Sequence, residues 1–151
     1  KKGAVKPIEA KELSVLMQNI LFKLTSMGYP FAKVSLLNSE INGTQISAAL
    51  AIDIGRHMVW KSIEVRGDST FSSNSIAHIT GVHIGDDFDE NLWSFVDSKL
   101  QQMSYLQIIK PSEILFTPEG AELFVFLKSA KISSFNDLVI PLFYEKLYFP
   151  Y

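Results

Sequence analysis

The 151-residue sequence contains no cysteine. That excludes disulfides, thiolate zinc sites and a cysteine nucleophile, and it is compatible with an oxidising compartment without requiring one. Histidine is scarce, limited to His57, His78 and His83. His78 and His83 lie five apart around Gly81, not at the i, i+4 spacing that puts two ligands on one helix face, so surface or half-buried imidazoles are expected and no metal site. A charge excess is missing too: 14 Lys and Arg against 16 Asp and Glu give a net charge of −2 and a pI near 5.9. That is no footprint for nucleic acid. No apolar run reaches the roughly 18 residues expected of a spanning helix. No signal peptide begins at Lys1, so the chain is expected to start after processing or to be an excised piece. There is no G-x-S-x-G elbow and no glycine-rich phosphate loop, because the glycines stand singly at turns. Neither catalytic residues nor a cofactor are therefore expected, and a small enzyme stays only as a remote alternative.

What is present is a repeat. Leu24, Met27 and Tyr29 are answered by Leu100, Met103 and Tyr105, each at a separation of 76. In the first copy, Leu13, Leu16, Met17, Ile20, Leu21, Leu24 and Met27 recur with helical period, predicting a helix over 12–27. Gly28 stands where a left-handed cap is needed, and Tyr29-Pro30 ends the helix. Ala32, Val34 and Leu36 alternate as a strand, Asn42-Gly43 signals a hairpin with positive φ at both residues, and Ile46 to Ile54 alternate as a second strand with one covered face.

The second copy follows the same order. Asp87 and Asp89 are candidate caps for one helix with Leu92, Phe95, Val96, Leu100 and Met103 on its apolar face. A strand through Ile108 to Phe116 follows, interrupted by Pro111, then a turn at Thr117-Pro118-Glu119-Gly120 and a strand through Leu123 to Leu127. Ahead of this copy, 57–66 reads as a strand and 72–80 as a short helix capped by Ser72 or Ser73. The second unit is thus β-α-α-β-β, whereas the first shows only α-β-β. Helices over one face of a small three-stranded mixed sheet make the fold class α+β. The expected division is a partial module over 1–56, a complete module over 57–130 and an aromatic-rich tail over 131–151. At this length each module can bury only a modest core, so the two should share an interface.

Asp86, Asp87, Asp89 and Glu90 form an acidic cluster. It lacks the spacing of a calcium loop, and carboxylates in a first helical turn cap free N–H groups and oppose the positive dipole end, which is the better reading. Trp60 and Trp93 read as core. In the last strand Leu123, Val125 and Leu127 face one way and Phe124 and Phe126 the other, although a sheet covered on one side should have a polar second face. The first unit or the tail could cover it, or it is a docking surface.

This order resembles the POTRA domain, the polypeptide-transport-associated repeat that stands before the membrane barrel in outer-membrane assembly proteins of the BamA and TamA kind. The residues carrying the resemblance are GYPFAKV (28–34), IDIG (52–55) leading into WKSIEVRGDSTFS (60–72), and GDDFDENLWSFVDSKLQQMSYL (85–106), covering roughly residues 10 to 130. The second copy departs from the first by placing Ser104 where Gly28 stands. In the tail, SSFNDLVI is similar to the lead-in to a first barrel strand, with Leu138 where that lead-in has glycine. The resemblance implies a periplasmic location at the outer membrane of a Gram-negative bacterium, and membrane attachment through a barrel absent from this chain. It implies partners that are unfolded outer-membrane proteins or secreted polypeptides, with envelope accessory proteins as a further class. Binding would add an extended guest to a sheet edge. On that reading the edges are 32–37, with Val34, Leu36 and Leu37, and 108–116, with Ile108, Ile109, Lys110, Ile114 and Phe116. Phe124 and Phe126 join them as docking residues. Pro111 lacks a donor and should break pairing along the second edge. The alternative is a scaffold or spacer that docks envelope lipoproteins or serves a two-partner secretion transporter.

Overall fold

A computed structural model describes residues 7–68 and 70–130; the expected role of 131–151 as a lead-in to a barrel lies outside the described residues. The chain opens with β1 (Ile8–Glu9), α1 (Ala10–Thr25), β2 (Lys33–Asn42) and β3 (Gln45–Asp53). Glu12 in the first turn of α1 and Lys23 in its last match the helix dipole. Gly28 takes φ +93° and Tyr29 N–H donates to the Leu24 carbonyl at 3.1 Å, which turns the chain into β2. Asn42 pairs with Gln45, so the hairpin turn is Gly43-Thr44, one residue later than the sequence suggested. Only Gly43, at φ +65°, is left-handed there; this is the turn that needs glycine at its first central position, not the one that needs two positive φ values. β3 lies between β1 and β2, antiparallel to both.

The second sheet is built by β4 (Trp60–Gly67), α2 (Ser73–Thr80), α3 (Glu90–Ser94), α4 (Val96–Gln101), β5 (Leu106–Thr117) and β6 (Gly120–Ser129). β6 is central, parallel to β4 and antiparallel to β5. A parallel pair needs a long crossover, and the three helices supply it. The Ser72 hydroxyl caps α2 by accepting from Ser75 N–H at 3.1 Å. The single helix expected over the second copy is broken at Phe95. The hydroxyls of Ser94 and Ser98 donate to the carbonyls of Asn91 and Phe95, a local competition that loosens helices. Phe95 is consequently exposed and does not join the apolar face. Asp89 caps α3, accepting from Asn91 N–H at 2.9 Å and Leu92 N–H at 3.2 Å. Asp87 is not a cap; it pairs with His57.

Leu123, Val125 and Leu127 are fully buried under the helices together with Trp60, Ile76, Phe88, Val96 and Leu100. Burial of each such side chain contributes about 1.5–3 kcal/mol. The first sheet is different. Val34 and Leu36 are half-buried, but Ile52 and Leu50, their partners directly across the hairpin, are exposed. The expectation of one covered face on β3 is therefore overturned. α1 packs on β1 and β2, and no second helix among the described residues covers the rest, whereas α2 over β4 and α4 over β5 cover both halves of the second sheet.

Candidate polypeptide-binding surface

β2 and β5 are outer strands of their sheets, so each offers unpaired backbone groups along one side. Both are bulged. On β2 the register slips between Leu37 and Glu40, where Asn38 takes φ +51°, leaving Lys33–Leu37 as the regular run. On β5 it slips twice, between Ile108 and Lys110 and between Lys110 and Glu113. Pro111 does not end the strand. The bend after it turns Ser112 inward, where its N–H donates to both Asp97 carboxylate oxygens at 3.2 Å and its hydroxyl donates to one of them. α4 thus holds the bulge shut.

The residues singled out from the sequence separate into three environments. Leu37 and Ile109 are exposed, while Val34 and Leu36 turn toward α1 and are half-buried. Ile108, Ile114 and Phe116 pack against the second core. Phe116 also meets Phe31 at 4.9 Å and Phe88 at 5.2 Å between ring centroids, so it belongs to the junction between the sheets. Phe124 and Phe126 line a groove of about 480 Å³ on the open face of the second sheet, with Ile114 and Leu115 beside them. Lys110 Nζ sits 3.9 Å from the Phe126 ring centre and Arg66 Cζ 5.3 Å from that of Phe124. The two cations are also paired, Lys110 with Glu113 at 2.7 Å and Arg66 with Glu64 at 2.6 Å. All the residues lining the groove belong to the second unit, so the first unit does not cover this face. Arg66 was not singled out from the sequence, because the register of a parallel strand such as β4 leaves no local sequence signal.

The two units meet where Met58 N–H donates to Gly28 O at 2.7 Å. Within the second unit this segment is held by Met58 O, which accepts from Phe88 N–H at 2.9 Å, by Trp60, which exchanges bonds with Asp86 and Gly85, and by Val59 O, which accepts from Ala121 N–H. Side chains close the joint: Arg56 donates to the Pro118 carbonyl and His57 Nε2 lies 3.0 Å from Asp87 Oδ1. Around it, the hydrogen bond from Lys61 to Glu122 raises the ammonium, and the Thr117 hydroxyl lowers Glu119. At the far end of β6, Asp68 accepts from Ser129 and from Thr70 N–H. Chiefly through the Ser129 hydroxyl, its carboxyl is held down to about 2. That anchor stays ionised well below neutral pH, and its stabilisation is lost only as pH falls toward 2.

Among the described residues no group of three or more His, Asp or Glu could hold a metal ion. No helix among them is long and apolar enough to cross a membrane, which says nothing of a β-barrel. What the surface can do is hydrogen-bond an extended chain at β2 and bury apolar side chains on the face of β6.

Neither a protein-family profile nor a curated protein matches the sequence. Solved structures do. The chain is similar to BamA from Haemophilus ducreyi lacking POTRA domains 1–3, with a TM-score of 0.62 and 17% identity over 82% of this chain and 24% of that one. It is also similar to Haemophilus influenzae BamA POTRA3–5, with a TM-score of 0.52 and 15% identity over 80% of this chain and 48% of that one. It therefore spans about a quarter of the first and about half of the second. Two sheets in series, the second a mixed sheet with helices on one face, have the fold of POTRA domains.

Proposed function

We propose that the chain is a polypeptide-binding unit of a BamA-like outer-membrane assembly protein, working on the periplasmic side, and that β2 takes an extended client segment as an added strand. The observation that carries this is the regular run Lys33–Leu37 at an open sheet edge. A guest there gains main-chain hydrogen bonds worth about 1 kcal/mol each. Five residues support about four or five of them, so affinity is weak and exchange fast. Weak, sequence-tolerant contact suits the handling of many unfolded barrel or secreted chains. β5 is the poorer rail, because its two bulges and Pro111 break the row of donors.

The test is a titration of isotope-labelled protein with an extended peptide from a barrel strand, following backbone amides. Shifts at 33–37, and about tenfold or greater weakening when alternate peptide nitrogens are methylated, are the expected result. Shifts confined to regions away from both hairpins would reject it. The joint favours a second reading, a spacer that holds soluble partners at a fixed geometry. In that case peptides leave the spectrum unchanged and an envelope accessory protein co-purifies.

A further inference from the structure

The open face of the second sheet has a polarity along β6. Four charged residues stand on it in two rows, set by the strand register. Level with Phe126 are Arg66 on β4 and Lys110 on β5; level with Phe124 are Glu64 on β4 and Glu113 on β5. Two cations therefore flank one phenyl ring, and two carboxylates flank the next, about 6.6 Å further along the strand. One step beyond, Glu122 is already held by Lys61 at 2.7 Å, so the polarity rests on the two inner rows. Within a single chain each cation reaches along its own strand, Arg66 to Glu64 and Lys110 to Glu113. These four side chains keep between 44% and 58% of their surface exposed. Ion pairs so open to water contribute little and exchange partners readily.

Such a face is complementary to itself. A two-fold axis lying across the strands at the level of Val125 sets a second sheet on the first with its β6 running the opposite way. The rotation keeps β4 over β4 and β5 over β5 but exchanges the two rows. Arg66 then meets Glu64 of the second copy, Lys110 meets Glu113, and Phe126 meets Phe124. An axis along β6 would instead set Arg66 over Lys110 and Glu64 over Glu113, like charge on like. The first arrangement closes as an isologous pair, and the phenyl rings fill the spacing of about 10 Å between stacked sheets. We propose that two copies of this chain associate through the open face of the second sheet, β6 antiparallel to β6, with Arg66 and Lys110 of each copy on Glu64 and Glu113 of the other. The face is narrow, about 10 Å between its outer strands, and falls short of the roughly 800 Å² per partner of a stable complex. The pair is therefore weak, with Kd on the order of 100 μM. It uses neither β2 nor the joint, so it stands or falls independently of the client edge.

The test is sedimentation of the 151-residue chain from about 10 μM to about 1 mM, a range that brackets that Kd. The expected result is a concentration-dependent shift from monomer to dimer. R66E/K110E makes all four groups negative and E64K/E113K makes them all positive, and each variant alone should self-associate at least about tenfold more weakly. An equimolar mixture of the two should dimerise again. Unchanged amide dispersion in α2 and α4 shows that both variants are folded. Orientation is read from Gln107→Cys, the single thiol in a chain without cysteine. Gln107 is level with Lys128 and Leu115 with Glu122, so the rotation brings Gln107 of one copy over Leu115 of the other. Spin-labelled, isotope-silent chain mixed with unlabelled, isotope-labelled chain should broaden Leu115 most, with the effect fading toward Ile108. A monomer at every concentration overturns the proposal, as does association indifferent to the charge variants or a mixture that stays monomeric. Broadening that is strongest at Ile108, or uniform, overturns it as well.

Discussion

Gly28 shows how a single position ties sequence to domain arrangement. Its φ of +93° suits a residue without a side chain, and a Cβ there would stand 2.5 Å from His57 Nε2 and 3.1 Å from the Met58 carbonyl oxygen. The imidazole can swing away only by leaving Asp87. The equivalent position in the repeat is Ser104, after α4 has ended at Gln102 with an ordinary right-handed φ of −73°. The two copies differ here: Gly28 lies against the joint at His57 and Met58, whereas Ser104 leads directly into β5. Gly28→Ala is expected to lower unfolding stability by about 1–3 kcal/mol. Denaturant titration measures this, and the Met58 and Phe88 amides should lose protection with it. An unchanged midpoint would show that the joint has room to give.

At the scale of elements, what could be read from the sequence followed periodicity and turn chemistry. The alternation of Leu123 to Leu127 and the Ser72 cap appear where their residue types place them, since a two-residue or four-residue pattern carries its own geometry. The hairpin turn was off by one residue, because the glycine of Asn-Gly can stand second in a turn with two positive φ values or first in a turn that needs positive φ at that residue alone. The break at Phe95 and the exposure of Leu50 and Ile52 were not legible, since each depends on what a distant element covers. The bulges in β5 were only half legible. Pro111 announces a missing donor, but nothing near it announces that Asp97, on a helix 15 residues earlier in sequence, takes the Ser112 N–H. Removing that acceptor leaves a buried donor unpaired, which costs about 1–3 kcal/mol. Asp97→Ala should therefore destabilise by that amount and speed hydrogen exchange at Ser112 and Glu113, while Asp97→Asn, which keeps an acceptor oxygen, should lose less. Equal effects of both variants would mean that the carboxylate's charge, not its acceptor, holds the bulge.

Across the whole molecule, stability is unevenly shared. Among the described residues every buried apolar side chain except Leu13 lies at or beyond Met58. The first sheet is held by α1, the hairpin ladder and the joint. It should open first, so amides in 33–53 are expected to exchange at a lower free energy than those of β6, by several kcal/mol given about 1.5–3 kcal/mol for each side chain left uncovered. Native-state hydrogen exchange distinguishes this from one cooperative unit, in which the two sets would share a single value.

The joint has a consequence for descent. The bond across it runs from Met58 N–H to Gly28 O, and Met58, Val59 and Trp60 are held to Phe88, Asp86, Gly85 and Ala121 in the second unit, all through N–H and C=O groups. Every residue but proline carries both groups, so away from Gly28 the side chains along this seam are free to change while its backbone pairing is kept.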